Sequence, residues 1–105
     1  MTAPVVVTAH FTAQPGKLDE LRAALVASIP AVHEEEGCEL YAIHDAPDGT
    51  ILMIEKWSSR ALLDAHSVGA PVAALNAAIA GAAAADPVVV IMDPIPAGTE
   101  VQGQL

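Results

Sequence analysis

Residues 34–57, EEEGCELYAIHDAPDGTILMIEKW, decide how this chain folds. Gly37 reads as a helix stop. Two runs follow it, Cys38–Asp45 and Thr50–Trp57, joined by Ala46-Pro47-Asp48-Gly49. Pro fixes one backbone angle and Gly supplies the positive φ that a tight hairpin needs, so the two runs read as paired strands. In the second strand Ile51 and Met53 alternate with Leu52 and Ile54. Successive strand side chains point to opposite faces, so this strand is apolar on both sides. Both faces of the sheet it belongs to need a cover.

Working outward, Val5–Thr12 is rich in β-branched residues and reads as a strand, broken by Gln14-Pro15-Gly16. Lys17–Glu36 reads as a helix, with Leu18, Leu21, Leu25, Ile29 and Val32 on one face. Pro30 lies within that pattern and predicts a kink or break near Ser28. On the other side, Ser58 or Ser59 caps a short helix through His66, and a second helical piece runs from about Ala70 to Ala80. Asp86-Pro87 closes it, Val88–Met92 forms a last strand, and residues 93–105 are a Pro- and Gly-containing tail.

The order is β-α-β-β-α-β, the α+β ferredoxin-like split. It predicts a four-stranded antiparallel sheet with helices on one face. The opposite face is expected to pack on that of a second copy, a homodimer through the open sheet face that makes a dimeric α+β barrel. The 105 residues are expected to form a single domain.

Composition points the same way. Hydrophobic residues make up 53% of the chain, above the usual globular range, so a domain this small must leave apolar surface for a partner. Thirteen acids against four bases give a net charge of −9, which argues against nucleic acid and anionic membranes as partners. The lone cysteine, Cys38, has no internal disulfide partner, and the N-terminal apolar run has no basic residues ahead of it; both fit a cytoplasmic protein. No charged residue occurs from Ser67 to Ala85, but Ala, Gly, Pro71 and Asn76 make that stretch a poor membrane span.

No nucleotide-binding glycine motif, CxxC or HExxH is present, and His10, His33, His44 and His66 lack close metal-ligand spacing. No metal and no cofactor is expected. Pro15-Gly16-Lys17, then Glu36-Gly37-Cys38 with Tyr41, then Glu55-Lys56-Trp57, His66 and Pro94-Ile95-Pro96 together resemble the antibiotic biosynthesis monooxygenase domain family. The likeness runs from Val5 to Pro96.

The resemblance implies a pocket in each subunit between sheet and helices. It also implies, for several members, oxidation of quinols or polycyclic phenols by O₂ with neither metal nor flavin. An electron-rich phenolate can itself reduce O₂, so the protein must take a proton, hold a flat ring and exclude water. The expected partners are thus a small aromatic substrate and O₂. Other relatives degrade haem or have no known reaction. Haem degradation is the weaker alternative, because the family's haem-ligating histidine has no counterpart between Ala70 and Gly81. A non-catalytic small-molecule-binding dimer, or an accessory protein of a biosynthetic cluster, is the other.

Five residues are candidates for the site. His66 and His10 are the candidate bases, since imidazole titrates near neutrality. His66 matches the family's histidine after the Glu-x-Trp strand, and His10 sits on the first strand, where haem-degrading relatives place a polar residue. Trp57 is read as a flat wall for an aromatic ring or a core anchor, and Tyr41 as a donor to a substrate oxygen. Glu55 shares the face of Trp57 and is expected in a structural ion pair or hydrogen bond at the subunit interface. His33, His44 and the run Glu34-Glu35-Glu36 read as solvated, and Cys38 as a small buried hydrophobe.

Overall fold

A computed structural model describes residues 3–105. The chain forms β1 (Val5–Phe11), α1 (Leu18–His33), β2 (Cys38–Asp45), β3 (Ile51–Trp57), α2 (Arg60–Ser67), α3 (Ala70–Ile79) and β4 (Val88–Met92). The strands make one antiparallel sheet in the order β2-β3-β1-β4. This is the ferredoxin-like α+β arrangement, with its second helical segment in two pieces.

The turn chemistry explains the central hairpin. Gly49 adopts φ +81° and donates to the Ala46 carbonyl, while the Ala46 amide pairs with the Thr50 carbonyl. At the other end Gly37 has φ +83°, and a Cβ there would meet Leu62 Cδ1 at 2.5 Å. Glycine is therefore required twice over, for its backbone angle and for the close approach of α2. Ser59 caps α2 by accepting from the Leu62 amide.

Two expectations for α1 need correction. Of the kink or break expected near Ser28, the break does not occur: the helix runs through Pro30 to His33. Pro30 removes the hydrogen bond to the Val26 carbonyl, and both residues lie on the exposed side, where water can serve that carbonyl. The helix also stops at His33 rather than at Glu36. Three glutamates at a helix C-terminus face the negative end of its dipole, and they lie outside the helix.

Helices cover one face of the sheet. Val5, Val7, Ala9 and Phe11 of β1 alternate with half-buried neighbours, as do Ile51, Met53, Glu55 and Trp57 of β3. They pack under Leu21, Leu25 and Val32 of α1, Leu63 of α2, and Leu75 and Ile79 of α3. The opposite face carries Val6, Thr8 and His10, Leu40, Ala42 and His44, Leu52, Ile54 and Lys56, and Val88, Val90 and Met92. Among the described residues no helix covers it, and its β1 and β3 side chains are half-buried. Among the described residues no single helix is long and apolar enough to cross a membrane, and α2 and α3, which together have the length, meet at a 52° bend.

Candidate functional site

The cleft follows from how the helices spread. They cover β2 and β3 but leave part of β1 and β4 open beneath α3, so Val89 and Ile91 stay exposed on the helix side of the sheet. The resulting cavity measures about 940 Å³ and is bounded by β1, β4, α2, α3 and the segment after α3. That is the size of a small-molecule site. Its walls are mostly apolar: Val7, Phe11, Leu63, Leu75, Ile79 and Ile91. Ser67, Asn76 and Asp86 also border it.

Three buried polar side chains border it as well: His66 and Glu55, each 5% exposed, and Tyr41, 4% exposed. α2 presents His66 from its last turn. Its Nδ1 lies 2.7 Å from Glu35 Oε1, its ring packs on the Trp57 indole at 4.5 Å between centroids, and the Tyr41 ring meets it edge-on at 5.5 Å. Stacking, edge contact and hydrogen bond leave the imidazole little freedom to turn. Nε2 has no hydrogen-bond partner among the described residues. No unpartnered polar side-chain atom there is sealed from solvent, so Nε2 opens to the cavity.

Tyr41 and Glu55 are direct cross-strand partners. Trp57 Nε1 donates to Glu55 Oε1 at 3.0 Å. Burial raises the Glu55 carboxyl above the usual carboxylate range, with the Trp57 bond and His66 opposing. Burial also raises the Tyr41 phenol, helped by the carboxylates of Glu55 and Glu35, so its hydroxyl stays protonated. Burial likewise pushes up the half-buried Cys38 thiol, which is not an activated nucleophile.

The structure brings His66, Tyr41 and Glu55 together and sets two other candidates apart. His10 lies on the uncovered face, because it alternates with Val7, Ala9 and Phe11, and its Nε2 is 2.6 Å from Thr50 Oγ1. Trp57 does not line the cavity; fully buried, it stands behind His66. Glu55 lies on the helix-covered face rather than on the open face expected to meet a partner. Glu35 is the residue the sequence reading missed. It belongs to the run read as solvated, yet its carboxylate turns inward to His66. Its one local signal was Gly37, whose positive φ folds the chain back just after it. Among the described residues no three His, Cys, Asp or Glu side chains converge as a metal site would require.

Comparisons with known proteins agree with this architecture. Residues 4–78 match the family model described as antibiotic biosynthesis monooxygenase. No curated protein matches the sequence. Among solved structures, the chain resembles Rv0793 from Mycobacterium tuberculosis at 28% identity and a TM-score of 0.82, covering 92% of this chain and 100% of that one. A structure named only as antibiotic biosynthesis monooxygenase matches at 26% identity and a TM-score of 0.77, covering 88% and 99%. The NE2512 protein of unknown function from Nitrosomonas europaea, at 20% identity and a TM-score of 0.81 over 93% and 95%, shares the fold.

Proposed function

The chain belongs to the antibiotic biosynthesis monooxygenase family, and from that premise we propose that it oxidises a quinol-like or polycyclic phenolic molecule with O₂, using His66 as the base. One observation carries this reading: a buried imidazole whose Nδ1 is held by a carboxylate while Nε2 opens into an apolar cavity. General-base chemistry asks for that arrangement, a base of fixed orientation beside a dry binding space.

The step balances without an added reductant. The phenol O–H passes its proton to His66 Nε2, and Glu35 offsets the charge that the ring acquires. The phenolate gives one electron to O₂, and the resulting radical pair joins at a hydrogen-bearing ring carbon ortho or para to that oxygen. Loss of water then leaves the quinone. One oxygen atom enters the ring, and the other departs as water with the two hydrogens the substrate loses. The aliphatic walls hold the ring and keep bulk water from the intermediates. We infer further that a second copy of the chain covers the open sheet face.

The test is anaerobic mixing with a panel of hydroquinones, hydroxynaphthalenes and anthrones, followed by O₂ uptake on aeration. Turnover is expected with wild type, falling about 10²–10⁴-fold in His66→Ala. Ligand-induced thermal shifts without O₂ uptake would make this a binding protein instead.

A further inference from the structure

Two oxygen atoms in the cavity are unaccounted for by a base alone. Tyr41 Oη makes no hydrogen bond to any described residue, and Glu55 uses Oε1 for the Trp57 indole but leaves Oε2 without a partner. Neither atom is sealed in, since every unpartnered side-chain polar atom among the described residues retains contact with solvent. Both side chains are more than nine-tenths buried, and both border the cavity. They come from facing positions of β2 and β3, on the same side of the sheet, so their ends project into one region.

We propose that Tyr41 Oη and Glu55 Oε2 form a paired polar subsite for one oxygen of the ligand, a phenolic hydroxyl above all. The pair makes the site selective for oxygen-bearing aromatics over hydrocarbons of the same shape.

The Trp57 N–H fixes which Glu55 oxygen does what. It occupies Oε1 as an acceptor, so a proton on the carboxyl sits on Oε2, aimed at the cavity. Desolvation shifts the Glu55 carboxyl above the usual carboxylate range, so Oε2 donates to a ligand oxygen when protonated and accepts from a phenolic O–H when ionised; the Tyr41 phenol, also raised, remains a donor. The sheet would then grip the ligand's oxygen while α2 presents the base. Without a ligand these polar groups meet only water, so an aromatic with no oxygen strips that water and gives nothing back.

This deepens the reading above by naming the feature of the substrate that is recognised, and it is testable without turnover. Equilibrium dialysis under argon would compare 2-naphthol with naphthalene. Wild type is expected to prefer 2-naphthol by about tenfold or more, the equivalent of one to two net hydrogen bonds. In Tyr41→Phe with Glu55→Leu the preference should fall several-fold, to what the His66 acceptor alone supplies, while naphthalene binding is kept. Glu55→Gln should retain most of it, because Trp57 would hold the amide oxygen and turn its N–H₂ to the cavity. Equal binding of the two probes by wild type, or an unchanged preference in the folded double variant, overturns the subsite and leaves the oxygenase reading standing. Selective binding with no O₂ uptake in the phenol panel does the reverse.

Discussion

On the helix side of β3, Ile51, Met53, Glu55 and Trp57 are all but sealed, whereas Leu52, Ile54 and Lys56, the residues between them, stay partly exposed. The two faces are built from similar aliphatic residues, yet their polar groups behave differently. On the covered face Glu55, Tyr41 and His66 are desolvated and hold one another or the cavity. On the open face His10 bonds Thr50 and His44 bonds the Leu52 carbonyl, beside water. The difference is one of cover rather than composition. A proton transfer that must exclude water belongs under the helices, and the open face is suited to association.

The sharpest way to break this comparison is to remove one histidine from each face. His66→Ala should cost about 10²–10⁴-fold in O₂ uptake, whereas His10→Ala should stay within a few-fold of wild type. Equal losses would move the substrate to the open face. Next in size is the core. Met53 is fully buried, and Met53→Ala should cost about 2–5 kcal/mol in denaturant unfolding, by lost burial and the cavity left behind. Its neighbour Ile54 tests association instead. Ile54→Lys puts an unpaired charge at the centre of the open face, where a second copy is inferred. Wild type should sediment as a dimer at micromolar concentration with a melting temperature that rises with concentration, and the variant should do neither. A monomeric wild type would remove the inferred partner.

What the sequence made legible was local. The hairpin rests on four consecutive residues, and strand parity placed Glu55, Trp57 and Met53 on one face without reference to the rest of the molecule. Parity also separates His10 from Val7 and Ala9, but it does not say which set the helices cover; that depends on where α1 and α3 come to rest. The depth of Trp57 was hidden for the same reason. Whether an indole lines a cavity or backs its histidine is settled by the seat of α2. Pro30 does not break the helix, because the carbonyl it orphans faces solvent. Glu35 was out of reach, since its partner lies 31 residues away. A glutamate between two glutamates shows nothing of its own to mark it as half-buried.

The smallest expected effect is also the most direct probe of the covered face. Burial raises the Glu55 carboxyl in the folded state, so the unfolded chain gives up this proton at a lower pH than the folded one. Below the ordinary glutamate value, about 4.3, both states are protonated and the burial costs nothing in ionisation. As pH rises past that value the unfolded state ionises first, and folding loses up to about 1.4 kcal/mol per pH unit until the folded carboxyl ionises too. Glu55→Gln has no such proton. The Glu55 carboxyl also faces His66, Tyr41 and Cys38, so both curves are measured in a His66→Asn background, while Tyr41 and Cys38, both raised, stay protonated through the acid and neutral range. Unfolding free energies measured from pH 4 upward should therefore show the protein that keeps Glu55 losing stability relative to Glu55→Gln as pH increases. Parallel curves would mean that the carboxyl is hydrated as freely in the fold as in the open chain, and it could then donate no proton to a ligand oxygen.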